Sequence, residues 1–255
     1  MKTIAKTIFL DNIKSKIVII YFLMMTLMAW TALLMESSES KGTLTLLNIV
    51  LFIIPLMSLL YTTIYLYNSR GFIVLLLTQP LRRSQIWHSL YAGVAGSLLL
   101  AFIVGCGLPV LLYTNPGTAV VLILMGSCTT LVFVSIAFLT TILSSDKTRG
   151  IGTALLIWLL FTMIWDSVLM YLLLILSEWP IEKPVMGLLM LNPLDLARFQ
   201  VVLKINVSAM MGYSGAAFKQ FLGAGGGIIA SAFLLLAWMA VPYWLSLRRF
   251  KHKDL

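Results

Sequence analysis

Residues 43–67 read TLTLLNIVLFIIPLMSLLYTTIYLY and contain no charged side chain. A run of about 20 apolar residues is long enough for a helix to cross the hydrocarbon core of a bilayer. Five more stretches of the chain share this character, and together they predict six membrane spans, at about 17–35, 43–67, 89–113, 118–143, 151–176 and 227–247. The sequence therefore predicts an all-α integral membrane protein with one transmembrane domain over residues 1–255.

The composition supports this class and excludes others. Of 255 residues, 60% are hydrophobic and only 11% are charged, whereas about 25% of an ordinary soluble domain is charged. So few charges cannot cover a water-facing surface, and disordered, collagen-like and small disulfide-rich proteins are excluded as well. The net charge of +9 lies at the ends of the apolar stretches. We expect it to set the topology and to contact membrane lipids, and we expect no nucleic-acid partner.

The basic residues lie mostly on one side of the predicted spans. Thirteen of the 18 lysines and arginines fall in the two termini and in the loops at 68–88 and 144–150. Loops rich in lysine and arginine stay in the cytoplasm. We therefore expect both termini to be cytoplasmic, in a multi-pass membrane protein. An even number of spans is consistent with this arrangement, because it places both termini on the same side of the membrane.

The residues before the first span have an amphipathic pattern. Ile4, Ala5, Ile8, Phe9 and Ile13 share one helical face, and the lysines and the aspartate avoid it. The pattern predicts an interfacial helix on the inner leaflet, with a frayed basic tail as the alternative.

Span three carries small residues four positions apart, which allow a second helix to approach closely. The pairs are Ala92 with Gly96, Gly93 with Ser97, and Ala101 with Gly105. The pattern leaves open whether that helix belongs to this chain or to another.

The loop at 68–88 is the strongest functional signal. It begins NSRGFIVLLLTQPLRR at residues 68–83, so it places six consecutive apolar residues, Phe72–Leu77, on the cytoplasmic side. This run is too short to span the membrane. It must be buried in a partner protein, in the bilayer surface or against its own bundle. Gln79-Pro80 ends it, because a proline disfavours helix in the residue before it.

The longest segment between spans, 177–226, is predicted to contain short helices on the outer side. Asn192-Pro193 reads as an N-cap and first helical residue. Asp195 then lies in the first turn, where a negative charge suits the helix dipole, and Arg198 follows at a spacing that allows an ion pair. A second short helix is expected at 215–222.

The sequence shows no enzyme motif. It has no GxxxxGK[ST] phosphate-binding loop and no HExxH zinc motif. Gly212-Tyr213-Ser214-Gly215 fits the GxSG pattern of rhomboid proteases, but that chemistry needs a histidine within reach of the serine. His88 and His252 are both expected on the other side of the membrane. We therefore predict that the chain is not an enzyme.

Two further features have open interpretations. Asp166 is the one charge between the ends of a predicted span, and it is either functional or a carboxylate facing water or a neighbouring hydroxyl. Methionine thioethers suit Cu(I), but methionine is also a common filler of apolar helices, and no metal site is predicted. The weak candidates for copper are Met186, Met190, Met210 and Met211.

The loop at 68–88 resembles the coupling segment of type-2 ABC exporter permeases, with a glycine, an apolar LLL run, and then a proline and an arginine before the third span. The stretches LNPLDLAR at 191–198 and SAMMGYSGA at 208–216 resemble the NosY-like permeases of nitrous oxide reductase maturation. By this resemblance the ATPase-coupling residues are Arg70, Gly71, Phe72, Leu75, Leu76, Leu77, Gln79, Pro80 and Arg82. The residues that contact a periplasmic partner or form a gate are Asn192, Pro193, Asp195, Arg198, Met211, Gly212, Tyr213 and Gly215.

The resemblance implies the type-2 permease fold and a division of labour. The chain would be the membrane half of an ABC transporter and would form a homodimer. A separate NosF-like ATPase would bind ATP and Mg²⁺, so this chain itself would need no cofactor. A NosD-like periplasmic protein would engage the outer face during copper-site maturation. The alternatives are a generic exporter of a drug, lipid or glycan, and a secondary transporter or scaffold that works without an ATPase.

The coupling segment departs from the family in one respect. The family usually carries acidic residues around the glycine, where this chain has Asn68, Ser69, Arg70 and Phe72. We therefore expect docking to depend on the apolar side chains rather than on charge.

Overall fold

The computed structural model describes residues 2–144, 146–175, 187–205 and 225–252, and the elements named within them are all helices. They are α1 (Lys2–Lys14), α2 (Lys16–Met35), α3 (Glu39–Asn68), α4 (Arg70–Leu77), α5 (Arg83–Phe102), α6 (Leu108–Tyr113), α7 (Pro116–Leu143), α8 (Lys147–Leu159), α9 (Trp165–Ile175), α10 (Pro193–Val202) and α11 (Gly225–His252). A π-helical segment, Ile103–Gly107, joins α5 to α6, and a second one, Leu160–Ile164, joins α8 to α9.

Six helical stretches of the described chain are long and apolar enough to cross a membrane, which confirms the all-α membrane fold. They correspond one by one to the predicted spans. Spans three and five are each interrupted by a π-helical segment, which the hydropathy pattern does not reveal. In span three this segment lies just before Pro109, whose missing N–H removes a hydrogen bond from the preceding turn.

The helix of the sixth span, α11, runs past the predicted end at 247 and reaches His252. The reason is tertiary packing. Phe250 is buried and stacks on Trp87 with ring centroids 4.3 Å apart. The indole Nε1 of Trp87 donates a hydrogen bond to Ser246 Oγ at 3.1 Å. The last turn of α11 is therefore fastened to the start of α5.

The core is centred on α7, which contacts α3, α5, α10 and α11. Phe133 and Phe138 of α7 are fully buried there together with Phe102 of α5. The buried hydroxyls of α7 bond to carbonyls of their own helix, as Thr130 Oγ1 does to Gly126 O at 2.8 Å. Such local bonds satisfy polar side chains in an apolar surrounding without a second helix.

The small residues of span three receive helices of this same chain. Gly93 and Gly96 lie beneath Ile8 and Phe9 of α1, and Gly105 lies against the backbone of Phe22 in α2. The apolar face predicted for α1 is thus the face that packs on α5.

The two ends of the bundle are distinguished by their contacts. At one end, called here the basic face, α1, α4, the α7–α8 connection and the end of α11 come together, and Arg83 Nη1 donates to Lys251 O at 3.2 Å. At the other end, called the opposite face, the side chain of Glu39 accepts hydrogen bonds from the backbone and side-chain nitrogens of Asn115 at 2.6 and 2.8 Å.

The packing of α1 on α5 predicts that Gly93→Ala destabilises the protein. A Cβ at Gly93 would lie 2.8 Å from Ile8 Cβ, a branched carbon close to its own backbone, so the two helices must separate. We expect a loss of about 1–3 kcal/mol, as for overpacked cores, seen as a lower melting temperature in detergent. Gly117→Ala is the control, because no atom lies within 4 Å of the added carbon. Equal melting temperatures for the two variants would contradict the packing.

Candidate functional site

The segment predicted to couple to an ATPase forms the short helix α4, which has two different sides. Ile73 and Leu76 face the bundle, and Leu76 is only 6% exposed. Phe72 and Leu75 point away from it, with exposed fractions of 43% and 65%, and Val74 is exposed as well. Part of the apolar run is therefore buried against its own bundle, and the other part is available to another surface.

The remaining predicted coupling residues divide in the same way. Gly71, Gln79, Pro80 and Arg82 are exposed, and Leu77 is half-buried. No atom lies within 4 Å of the place where a Cβ of Gly71 would stand, so this position is open on the outer side of α4.

Arg70 attaches the start of α4 to the bundle. Its guanidinium lies 4.4 Å from the centroid of the Tyr67 ring, and Nη2 is 3.4 Å from Ser144 O. The Tyr67 hydroxyl donates to the same carbonyl at 3.0 Å. Lys147 Nζ adds a bond to Asn68 Oδ1 at 2.8 Å. The junction of α3 and α4 is thus bound to the connection between α7 and α8.

Helices α3 and α8 also contact each other along their length. Near the basic face, Gly150 lies under the Tyr67 ring, which leaves no room for a side chain there. Deeper in the bundle, Trp158 Nε1 donates to Phe52 O at 3.1 Å, and the two aromatic rings meet edge to face with centroids 5.0 Å apart. The two helices are therefore joined both near the basic face and deeper in the bundle.

The π-helical segment after α8 connects to the outer helix α10. Asn192 is fully buried, and its Nδ2 donates to Phe161 O within that segment at 3.1 Å. Its Oδ1 accepts from Leu194 N at 3.0 Å. Asn192 is therefore the N-cap of α10, as predicted, and Pro193 is the first residue of the helix.

Arg198 of α10 lies between two carboxylates. Nη1 is 3.2 Å from Asp195 Oδ1 and 3.2 Å from Asp166 Oδ2. The pair with Asp195 was predicted from the spacing along α10. Asp166 was expected to face water or a hydroxyl if it had no function, and the structure instead gives it an arginine partner. Both Asp166 and Arg198 remain partly exposed, so their charges are partly screened by solvent.

Asp195 is the buried member of this cluster, with 3% of its side chain exposed. Burial raises its pKa from the ordinary 3.8 to about 6. The Arg198 guanidinium lowers it, the Asp166 carboxylate raises it, and the amide of Asn192, which donates to Asp195 Oδ2 at 3.0 Å, lowers it. The ionised form of Asp195 depends on Arg198 and Asn192 for its stability.

Some of the predicted site residues lie outside the part of the chain that the structure describes. They are Met186, Met210, Met211, Gly212, Tyr213 and Gly215, together with the second expected helix at 215–222. Met190 is described and half-buried. Among the residues that the structure describes, no three His, Cys, Asp or Glu side chains are grouped closely enough to hold a metal ion.

Several contacts in this region could not be predicted from the sequence. The contact between Asp166 and Arg198 joins residues 32 positions apart, and the bond from Trp158 to Phe52 joins residues 106 apart. A lone carboxylate in a span does indicate that a partner exists, but the pattern does not say which cation supplies it.

Comparison with known proteins identifies relatives over most of the chain. The chain is 31% identical over 230 aligned residues to a protein of Stutzerimonas stutzeri described as "Probable ABC transporter permease protein NosY", with 82% of this chain and 79% of that relative covered. It is also 31% identical over 212 residues to a protein of Pseudomonas aeruginosa with the same description, with 78% and 73% covered. No family model matches the chain.

The burial of Asp195 predicts a pH-dependent contribution to stability. Because its pKa is raised in the folded protein, the folded state binds this proton more tightly than the unfolded state. The contribution is full below about pH 4 and is lost as the pH rises through about 6. Asp195→Asn removes the titration. The melting temperature of the wild type minus that of the variant should therefore fall between pH 4 and pH 6.5. A difference that is constant over this range would contradict the prediction.

Proposed function

This chain belongs to the NosY family of ABC transporter permeases, and from that premise we propose that it couples ATP hydrolysis by a separate NosF-like ATPase to work on the other side of the membrane. The family consists of permeases rather than enzymes. The ATPase would supply the site for ATP and Mg²⁺.

The proposed orientation places the basic face in the cytoplasm of a bacterium and the chain in the inner membrane. The distribution of lysine and arginine supports it. α4, both ends of the chain and the α7–α8 connection would then meet the cytoplasm, and α10 would lie toward the periplasm.

The single observation that carries the coupling proposal is the divided surface of α4. Phe72 and Leu75 are large apolar side chains held outward on a helix whose other side is anchored by Ile73 and Leu76. Exposed apolar groups at such a position are typical of a docking surface. Arg70 is occupied with Tyr67 and Ser144, which supports apolar rather than charge-based docking.

A continuous set of contacts leads from α4 to the opposite half of the bundle. It runs from Tyr67 to the α7–α8 connection and Gly150, from Phe52 to Trp158, and from the following π-helical segment to α10. Spatial continuity alone does not make a coupling path, which needs an element with two arrangements. We assign that role to Leu160–Ile164, because π-helical insertions are local departures that often mark functional sites.

We propose that the chain works as a homodimer and that α8 and α9 contribute to the contact. This span is the least buried of the six: 6% of the residues in its most apolar 18-residue stretch are buried, against 56% for α3 and for α7. Leu156, Met163 and Val168 are among its exposed apolar side chains. A second copy of the chain would cover them and would bring two Asp166–Arg198 pairs near the same interface.

We propose that the outer segment engages a NosD-like periplasmic protein during copper-site maturation of nitrous oxide reductase. The names of the relatives favour this role over export of a drug, lipid or glycan. Asn192 and Arg198 fix α10 to span five, and α10 also contacts spans four and six, so this helix would offer the periplasmic partner a fixed surface.

The docking proposal predicts that Leu75→Glu abolishes co-purification of the ATPase without lowering the melting temperature of the permease. The side chain is exposed, so a charge there disturbs the partner surface and not the fold. Leu76→Ala is the matched control, since it removes a buried leucine from the same helix. It should lower the melting temperature and leave the ATPase bound. Loss of the ATPase from Leu76→Ala alone would defeat the assignment of the docking side.

The contact path predicts that Gly150→Ala uncouples ATP hydrolysis from the work that the permease does on the other side of the membrane. The added Cβ would overlap the Tyr67 hydroxyl and push Tyr67 away from Ser144, while the docking side of α4 is unchanged. The ATPase should still co-purify, but copper loading of nitrous oxide reductase in cells should fall severalfold. Gly152→Ala on the same helix is the control, because its Cβ meets no atom within 4 Å. Normal copper loading in Gly150→Ala would exclude this path.

A further inference from the structure

A cavity of about 260 Å³ lies at the basic face, between the end of α1, the start of α2 and the last two turns of α3. The side chains that line it include Asp11, Asn12 and Lys14 of α1 and Tyr61 and Tyr65 of α3. Asn68, which accepts the hydrogen bond from Lys147, lines it as well, whereas these five residues take no part in the contacts proposed above for coupling.

The floor of the cavity is polar, and its side chains are hydrogen-bonded. Asn12 is 1% exposed, its Nδ2 donates to Ile8 O at 2.7 Å, and its Oδ1 accepts the hydroxyl hydrogen of Tyr61. The rings of Tyr61 and Tyr65 stack beside it with centroids 6.2 Å apart. Tyrosine is common at the boundary between membrane and water, where one side of the ring is apolar and the hydroxyl is wet.

The rim of the cavity carries two opposite charges. Asp11 and Lys14 are both exposed and lie three residues apart on α1, so they are neighbours on the helix surface. Both ion pairs found in the described part of the chain involve Arg198, so Asp11 and Lys14 are not paired with each other. A ligand with an ammonium and a phosphate joined by a short link would satisfy both.

An apolar strip on α2 begins at the cavity. Ile17 lines it, and Ile20, Leu23 and Leu27 follow along α2 with 58%, 58% and 64% of their surfaces exposed. This strip leads from the basic face toward the middle of the membrane. The combination of a zwitterionic rim, an aromatic wall and an apolar strip fits a phospholipid better than a water-soluble metabolite.

We propose that this cavity binds one molecule of phosphatidylethanolamine, whose headgroup lies between α1 and α3. The ammonium donates hydrogen bonds to the Asp11 carboxylate, and the phosphate accepts from Lys14. The acyl chains lie along α2. Phosphatidylcholine has no N–H group to donate to Asp11, and phosphatidylglycerol has no cation. The lipid thus bridges α1 to the helix that leads into α4.

The test uses the full-length chain purified in detergent and three lipids with identical acyl chains, the ethanolamine, choline and glycerol forms. Binding is followed by native mass spectrometry and by the melting temperature. We expect the ethanolamine lipid to bind roughly tenfold more tightly than the choline lipid, which is the effect of one charge-assisted hydrogen bond. Equal binding of these two lipids, or tightest binding of the glycerol lipid, would overturn the proposal.

Three variants locate the site. Asp11→Asn should reduce the preference for the ethanolamine lipid to near zero, and Lys14→Gln should weaken binding of both the ethanolamine and the choline lipids. Lys6→Gln removes the same charge as Lys14→Gln, but from a residue of α1 that does not line the cavity. It should bind the three lipids as the wild type does. A preference that survives in Asp11→Asn would overturn the proposal. So would soluble phosphoethanolamine stabilising the protein as well as the lipid does.

Discussion

A carboxylate on a membrane-spanning helix is costly unless a partner offsets its charge, and in this protein that partner comes from α10 and fixes its position. Asp166 takes Arg198 as its partner, and Arg198 also pairs with Asp195. The same helix is held at its start by Asn192, which bonds to a carbonyl of the π-helical segment preceding Asp166. The fifth span and the outer segment therefore form one unit, although an interval of chain separates them. We therefore expect α10 to move together with the fifth span.

At its other end, the start of α8, that unit is bound to the junction of α3 and α4. Because α4 is anchored through Tyr67, Arg70 and Asn68 to the connection before α8, it is an extension of the bundle rather than a free loop. Its two buried residues keep its orientation, so Phe72 and Leu75 are presented outward at a defined place. A docking surface must be held rigidly in this way if a force on it is to move the bundle rather than bend a loop.

The spans, the N-terminal amphipathic helix and the N-cap at Asn192 were predictable from the sequence, because each follows from a local rule of periodicity, hydropathy or capping. The division of Phe72–Leu77 into two sides was not predictable, since six consecutive apolar residues give no indication of which ones the bundle covers. The end of α11 was missed because Phe250 is held by Trp87, a contact between residues far apart in the chain. The partner of Asp166 was missed for the same reason. Gly93 and Gly96 did indicate a close helix contact, but the structure was needed to show that α1 of this chain makes it.

The central claim is that the outward side of α4 touches the ATPase. A photo-crosslinking amino acid placed at position 75, and separately at position 76, in cells that express both proteins tests it most directly. The account predicts a covalent adduct with the ATPase from position 75 and little or none from position 76. An adduct of equal yield from both positions, or crosslinks from position 75 to lipid alone, would contradict it.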